Sequence, residues 1–233
     1  MAAYFRRLKC FLFPAFLDSL FSCYFRRLKC YKMNKLDGVT GKYSTILIDP
    51  PWRFQNRTGK VAPEHRRLRR YATMSFQEIE AIPVFRHADE RSHLYLWCPN
   101  ALLLEALQIM KAWGFQYKTN IVWYKVRKDG GPDGRGVGFY FRNVTELLLF
   151  GVKGSMRTLA PGRRQVNVIV KRKREHSRKP DEFYDVIEQC SPGPYLELFA
   201  RHPREGWTSW GDEVDSCSQS HEHSIRSTVR IDL

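Results

Sequence analysis

From Tyr43 onward, the chain alternates short apolar runs with amphipathic stretches. The residues of ALLLEALQIMKAW (101–113) have helical length and helical apolar spacing, and they precede the segment FQYKTNIVWYK (115–125). Four runs are rich in apolar and β-forming residues and predict buried strands: STILID (44–49), HLYLWC (93–98), NVTELLLFGV (143–152) and YLELFA (195–200). Such strands, alternating with helices, predict an α/β fold with a doubly wound, mainly parallel sheet.

The segment KPDEFYDVIEQC (179–190) predicts a further helix. Pro180 suits its first turn, and Asp181 and Glu182 complement the positive end of the helix dipole. The apolar residues of the segment fall on one face, which we expect to pack on the sheet: Phe183, Val186, Ile187 and Cys190.

Three polar stretches are typical of loops. They are the Arg-rich residues 53–71, the Gly-rich residues 126–138 and the basic residues 157–179. The Ser- and His-rich residues 215–233 have no periodicity and predict a disordered tail. The expected folded domain is therefore 33–214.

Residues 1–32 differ from the rest and predict a basic and apolar N-terminal extension. The heptapeptide YFRRLKC occurs at 4–10 and again at 24–30, on either side of an apolar stretch. This order imitates a signal peptide, but Asp18 interrupts the apolar stretch and no small-residue cleavage site follows. We therefore expect an amphipathic or disordered extension. One hypothesis is that the functional chain starts at Met33.

The charge balance indicates the class of partner. The chain has 39 Lys and Arg against 24 Asp and Glu, which gives a formal net charge of +15. This excess favours a polyanion, with nucleic acid ahead of a membrane surface. A charged, solvated surface without a partner is the alternative, and the location of the cations decides between them.

Cysteine spacing and hydropathy exclude other classes. A helix needs about 18 apolar residues to span a bilayer, and no apolar run in the chain is close to this length. We therefore expect no membrane association. The cysteines contain no C-x-x-C pair or zinc-site spacing, which predicts no metal site and reduced thiols in a cytoplasmic protein. They are scattered along the chain: Cys10, Cys23, Cys30, Cys98, Cys190 and Cys217.

The tetrapeptide DPPW (49–52) directly follows the first predicted strand. Open α/β sheets bind ligands at the carboxyl ends of their strands, so Asp49 is expected at that edge. Pro50 and Pro51 fix two φ angles and remove two donors, which leaves the carbonyls of Asp49 and Pro50 free as acceptors. Trp52 offers a flat face for stacking an unpaired base. A rigid turn after a strand is the alternative explanation.

These acceptors suit the exocyclic amine of adenine. The amine is a poor nucleophile because its lone pair is delocalised into the ring. When the Asp49 carboxylate and the Pro50 carbonyl accept hydrogen bonds from its two N–H groups, the lone pair concentrates on the nitrogen, which attacks a methyl donor. We therefore predict that the catalytic residues are Asp49, Pro50, Pro51 and Trp52.

Seven collinear blocks between Tyr43 and Glu213 carry a family resemblance: YSTILIDPPW, YATMSFQEIEAI, LYLWCPN, GFYFRNVTELLLFGVKG, HSRKPDEFYDVIEQCSPG, YLELFARHPREGW and WGDE. With them the sequence resembles the MT-A70 family of adenine N(6)-methyltransferases, the METTL-type enzymes. The resemblance implies a Rossmann-like methyltransferase fold with a permuted motif order and S-adenosylmethionine as the methyl donor. The compact form resembles prokaryotic or phage members.

The resemblance also implies which residues bind the methyl donor. Asp49 lies near the donor's amino group, Lys179 pairs with its carboxylate, and three residues at the end of the late strand bind its ribose. Two residues of WGDE occupy positions that contact the nucleoside, although relatives often have amides there. The implied positions are Asp49, Lys179, Glu197, Arg201, His202, Asp212 and Glu213.

The expected substrate contacts lie in the loops. Tyr71 matches a substrate-pocket aromatic, and packing within its loop is the alternative role. A second basic cluster, 171–174, precedes Lys179, and we expect both clusters on the rim, contacting phosphates. The first cluster follows DPPW and comprises Arg66, Arg67, Arg69 and Arg70.

The sequence therefore predicts an S-adenosylmethionine-dependent adenine N(6)-methyltransferase acting on nucleic acid. The compact form favours DNA over RNA. The alternatives are a non-catalytic nucleic-acid-binding partner subunit, which the intact DPPW and Lys179 disfavour, and a DNA-binding protein whose α/β core has another role. A homodimer or a complex with a related subunit is compatible with the sequence.

Overall fold

The structure is a computed structural model, and it describes residues 36–53, 73–134, 140–174 and 178–211, together with Val214. The chain divides into two compact units, Met1–Asp37 and Gly38–Leu233. The expected extension (1–32) and tail (215–233) lie outside the described residues, so both domain boundaries stay predictions.

A seven-stranded sheet organises the described residues of the second unit. Its strands are β1 (Tyr43–Ile48), β2 (Ala88–Cys98), β3 (Gln116–Val126), β4 (Thr145–Lys153), β5 (Val168–Arg172), β6 (Tyr195–Leu198) and β7 (Trp207–Trp210). Their order in the sheet is β5-β3-β4-β2-β1-β6-β7, and β1 is parallel to both of its neighbours. The predicted α/β class with a mainly parallel sheet is confirmed.

β4 is antiparallel to both of its neighbours, β2 and β3. The sequence predicts a buried strand here, and its apolar pattern does not give the direction of the strand. Residues 127–144 join β3 to β4, and their described part contains no crossover helix, which a parallel connection needs. The start of β4 therefore lies at the same edge as the carboxyl ends of β2 and β3, where Glu146 is in register with Trp123.

Helices cover both faces of the sheet. They are α1 (Phe76–Glu80), α2 (Val84–His87), α3 (Leu103–Ala112) and α4 (Glu182–Cys190). α3 packs on β2 and β3, and α4 packs on the opposite face, where Phe183 meets Trp97 edge to face. The predicted apolar face of α4 is confirmed, since all four of its residues are buried. In the part of the chain that the structure describes, no helix has the length and apolarity to cross a membrane.

The segment 157–179 is not simply a loop, which corrects the sequence prediction. It contains the short 3-10 helix Pro161–Arg164 and the edge strand β5. Ile169 points into the core, whereas Val168 and Val170 are exposed. The β-forming run VIV is only three residues long and is followed by cations, so its signal is diluted. The short elements β7, α1 and α2 also had no sequence prediction.

Candidate active site

The sheet changes winding direction beside β1. From β1 the chain continues to β2 on one side, and it returns later to β6 on the other side. Asp49 follows β1 and Phe199 follows β6, so both lie at the carboxyl end of this switch point. Open α/β sheets bind ligands in the crevice at such points. Asp49 therefore lies at the edge where the sequence predicts it.

Backbone hydrogen bonds hold the start of the DPPW loop. The Asp49 N–H donates to the Leu198 carbonyl at 3.4 Å, and the Trp52 N–H donates to the Pro50 carbonyl at 2.8 Å. The second bond corrects the expectation that the Pro50 carbonyl is free, because the turn occupies one of its lone pairs. A carbonyl oxygen has two lone pairs, so Pro50 can still accept one further hydrogen bond.

Trp52 fastens the end of the DPPW loop to the sheet. Its indole N–H donates to the Trp97 carbonyl at 2.9 Å, and only 8% of the residue is exposed. The neighbouring Pro51 carbonyl accepts the Met74 N–H at 2.8 Å. Trp52 is therefore an anchor of the loop, and stacking of a base on its ring stays a prediction.

Lys179 brings a positive charge to Asp49. Its Nζ lies 3.3 Å from Asp49 Oδ2, 2.6 Å from Glu146 Oε1 and 4.8 Å from the centre of the Trp97 ring. Burial alone would lower the pKa of Lys179, but the negative charges of Asp49 and Glu146 outweigh burial and raise it. Lys179 is thus held charged between two carboxylates.

Glu146 completes this arrangement, and the sequence analysis missed it. Its Oε2 lies 2.7 Å from Lys125 Nζ, which in turn lies 4.7 Å from the centre of the Trp123 ring. Burial would raise the pKa of Glu146, but Lys179 and Lys125 lower it to about 2. The missed signal is an acid at the start of an apolar strand, which needs a cationic partner when it is buried. We call Glu146, Lys125 and Lys179 the Glu146 cluster.

The environment of Asp49 raises the pKa of its carboxyl group. The side chain is 27% exposed, and burial raises its pKa above the usual value. Lys179 and Arg201 oppose this increase, whereas the negative charge of Glu146 adds to it. The carboxylate of Asp49 is consequently a stronger proton acceptor than one in water.

Glu197 lies on the other side of Asp49, in β6. The Tyr184 hydroxyl donates to its Oε1 at 2.7 Å, while its buried Oε2 has no hydrogen-bond partner among the described residues. Burial raises the pKa of Glu197 to about 7, against the Tyr184 hydrogen bond, and the charge of Asp49 contributes to the increase. The unpartnered oxygen fits a hydroxyl donated by a ligand. Tyr184 is a further residue that the sequence analysis missed.

The end of β6 turns sharply at the site. Phe199 has a φ of 64°, in the left-handed region that residues with a side chain rarely adopt. Arg201 follows and is partly buried, and its charge reaches Asp49. His202 is exposed. Gly211, at the end of β7, packs so closely on the Ala200 backbone that a Cβ would collide with it.

The second basic cluster contributes less free charge than its sequence suggests. Lys171 pairs with Glu182 at 2.6 Å, and Arg174 pairs with Asp181 at 2.5 Å. Both acids belong to the start of α4 or precede it directly. The other predicted site residues lie outside the described residues: Arg66, Arg67, Arg69, Arg70, Tyr71, Asp212 and Glu213.

Comparison with known proteins gives a family and several relatives. The sequence profile described as MT-A70 matches residues 43–213. The N(6)-adenosine-methyltransferase MT-A70-like protein of Drosophila melanogaster is 30% identical over 76% of this chain and 28% of its own length. The catalytic subunit METTL3 of the Homo sapiens N(6)-adenosine-methyltransferase is 29% identical over 76% of this chain and 29% of its own length.

A third relative is similar in size to this chain. The Type II methyltransferase M.MunI of Mycoplasma sp is 28% identical over 204 residues, which cover 78% of this chain and 84% of that protein. The chain thus spans less than a third of the two N(6)-adenosine-methyltransferases and most of M.MunI.

Proposed function

The chain belongs to the MT-A70 family, and from this premise we propose that it transfers a methyl group from S-adenosylmethionine to the N(6) amine of adenine in nucleic acid. The position of the Asp49 carboxylate carries the proposal. Asp49 directly follows β1 at the switch point of the sheet, and its Oδ2 lies 3.3 Å from Lys179 Nζ. An acceptor for the amine and a cation for the donor's carboxylate therefore meet at one point.

The polar groups around Asp49 fit S-adenosylmethionine. Asp49 and Lys179 offer a negative and a positive charge to the ammonium and carboxylate of its amino-acid end. The buried Oε2 of Glu197, unpartnered in the described part of the chain, fits a ribose hydroxyl. Glu146 holds the Lys179 ammonium at 2.6 Å, so Lys179 keeps its place when Asp49 binds other partners.

The chain's own acceptors then activate the amine. Asp49 accepts a hydrogen bond from one amine proton, and the Pro50 carbonyl accepts the other through its remaining lone pair. S-adenosylmethionine supplies an electrophilic methyl group whose sulfonium charge disappears as the N–C bond forms and the S–C bond breaks. Because burial raises the pKa of Asp49, its carboxylate can take the proton that the nitrogen loses.

We favour DNA over RNA, with the chain acting as a site-specific DNA methyltransferase. The match covers 84% of the Type II methyltransferase M.MunI and 28–29% of the two N(6)-adenosine-methyltransferases, and the more extensive similarity to M.MunI supports this preference. The net charge of +15 suits a polyanionic substrate. The adenine must leave its stack, or already be single-stranded, to reach Asp49.

Transfer of a labelled methyl group tests the proposal. The substrates are adenine-containing DNA and RNA, each in single- and double-stranded form. We expect labelling of DNA, and we expect Asp49→Asn, which keeps the shape and removes the charge, to lower the rate at least about a hundredfold. Asp185→Asn is the matched control, because Asp185 is exposed and pairs with Arg204 on the surface. Equal rates for wild type and Asp49→Asn would contradict the assignment.

A non-catalytic nucleic-acid-binding subunit is the alternative function. The intact DPPW and the Glu146 cluster disfavour this alternative. Burying the charged groups of the cluster costs free energy, and a protein that only bound nucleic acid at another surface would not need them. A wild type that binds the methyl donor in calorimetry, yet labels none of the four substrates, would contradict catalysis by the isolated chain, and binding of nucleic acid by the same protein would then favour this alternative.

A further inference from the structure

An open groove lies on the α4 face of the sheet, away from Asp49. Its apolar floor is formed by Phe150, Val152 and Met156, and its volume is about 350 Å³. Phe150 and Val152 lie four to six residues beyond Glu146 along β4, which corresponds to about 14–20 Å at the rise of a strand. The groove is therefore separate from the candidate active site.

Three cations line this groove: Lys118, Arg157 and Arg163. All three are exposed, and none forms an ion pair with any residue that the structure describes. Lys118 Nζ instead donates to the neutral Gln116 Oε1 at 2.6 Å. Lys171 and Arg174 pair with Glu182 and Asp181, whereas no described acid neutralises the three cations of the groove.

The segment that carries the two arginines is fixed to the fold. The Leu159 N–H donates to the Cys190 carbonyl at 2.8 Å. Gly162 packs so tightly on the end of α4 that a Cβ would lie 2.7 Å from Cys190 Sγ. The segment 157–164, which carries Arg157 and Arg163, is therefore tied to the end of α4.

We infer that this groove, called the Arg157 groove below, binds a nucleic-acid strand several nucleotides away from the adenine at Asp49. Phosphates contact Lys118, Arg157 and Arg163, and a sugar or base covers the apolar floor. Arginine forks match phosphate oxygens, and an uncompensated triple positive charge suits a chain of phosphates. The inference rests on the proposed function for the kind of partner and adds a second contact surface to it.

Binding of a labelled single strand of about 20 nucleotides, followed by fluorescence anisotropy between about 50 and 200 mM salt, tests the inference. The full chain is compared with Lys118→Ala/Arg157→Ala/Arg163→Ala. We expect this groove variant to bind at least about tenfold more weakly. Its plot of log affinity against log salt should be less steep by about 2, because about three phosphate contacts are lost.

Two further variants serve as controls. The triple variant Lys42→Ala/Arg86→Ala/Lys111→Ala removes the same charge from exposed positions elsewhere, and it should bind within about threefold of wild type. The variant Arg157→Lys/Arg163→Lys keeps the charge of the groove and should retain most of the affinity. An equal loss in the control triple variant would overturn the inference, because only the total charge would then matter.

The outcome separates this inference from the proposed function. If the groove variant binds the strand as wild type does, the inference is wrong, whatever the methyl-transfer assay shows. If it loses only the binding of free adenosine monophosphate, the groove is a nucleotide site and the inference is also wrong. If wild type binds the strand through the groove but transfers no methyl group, the inference stands and the proposed catalysis fails.

Discussion

Two glutamates flank Asp49, and the protein treats them differently. Toward β4, Glu146 lies within 2.7 Å of two ammonium groups and has a pKa of about 2. Toward β6, Glu197 has one tyrosine hydroxyl and a pKa of about 7. Burial acts in the same direction on both carboxyls, so their partners separate the two pKa values. One flank of Asp49 is permanently ionic, and the other can exchange a proton near neutral pH.

This difference assigns a kind of ligand group to each flank. The ionic flank suits the charged amino-acid end of a methyl donor, because its lysines are already desolvated and held in place. The flank of Glu197 suits a neutral hydroxyl, since the buried Oε2 of Glu197 is an acceptor without a hydrogen-bond partner among the described residues. Changing one residue at a time on each flank tests whether the two are as independent as their partners suggest.

The largest effect is expected from Lys179→Met, which removes the cation between Asp49 and Glu146. Asp49 and Glu146 then lose the ammonium group that lies between them. Because this leaves buried negative charge without its partner, the free energy of unfolding should fall by about 3–5 kcal/mol. Urea unfolding near neutral pH measures this change. Lys171→Met is the matched control, because the exposed pair with Glu182 should contribute about 1 kcal/mol or less. Equal losses in the two variants would remove the distinction between the ionic flank and the surface.

Glu197→Gln should abolish a pH step on the other flank. The unfolded carboxyl loses its proton near 4.5 and the folded one near 7, so the stability from this proton is present below 4.5 and is lost as the pH rises to about 7. Above that pH the variant should be more stable than wild type by up to about 3 kcal/mol. Urea unfolding across this range measures the effect. Superimposable profiles for wild type and variant would contradict the raised pKa.

Tyr184→Phe sharpens the same test. The Tyr184 hydroxyl lowers the pKa of Glu197, so its removal should move the pH step upward rather than abolish it. A step that moves downward would show that the hydrogen bond at 2.7 Å has the opposite role.

Glu146→Gln should weaken donor binding more than the chemical step. In this variant Lys179 keeps its ion pair with Asp49 but loses the one with Glu146, which lies 2.6 Å away. The KM for the methyl donor should therefore rise about tenfold, with a smaller change in kcat. Because Glu146 raises the pKa of Asp49, the acid limb of the pH–rate profile should move to lower pH. The exposed acid Glu90, changed to Gln, is the control. A kcat that falls as much as kcat/KM would instead place Glu146 in the chemical step.

Trp52→Phe should give the smallest effect, a loss of about 1 kcal/mol in the free energy of unfolding. The change removes the N–H that donates to the Trp97 carbonyl and keeps an aromatic ring in the loop. Trp210→Phe is the control, because the ring N–H of Trp210 has no partner among the described residues. A much larger loss of activity than of stability would favour the stacking role of Trp52 over the anchoring role.

The sequence predicts the apolar elements well because burial leaves a pattern. The strands β1, β2 and β6 and the helices α3 and α4 follow from runs and periodicity alone. The direction of β4 does not follow, because an apolar run identifies a buried strand but not which way it runs. β5 was missed because neighbouring cations interrupt its short β-forming run.

The sequence predicts residues of the candidate site only where they belong to a recognisable motif. DPPW marks Asp49 through local chain chemistry, and Lys179 followed from the family resemblance. Glu146, Lys125 and Tyr184 are single residues in ordinary strands or helices, and the fold brings them to Asp49 from distant segments. Their roles depend on contacts across the sheet, which single-sequence patterns do not encode.

The place of β1 between β2 and β6 also governs how a newly made chain acquires its site. β2 is synthesised soon after β1, but β6 emerges only near the end of the domain. Until then, one edge of β1 lacks a backbone partner, and its apolar residues are open to wrong pairing or aggregation. Over the same interval Asp49 is present without Lys179, which is synthesised later. An incomplete chain therefore contains DPPW without the charged partners of Asp49, and long-range strand pairing determines when the candidate site is assembled.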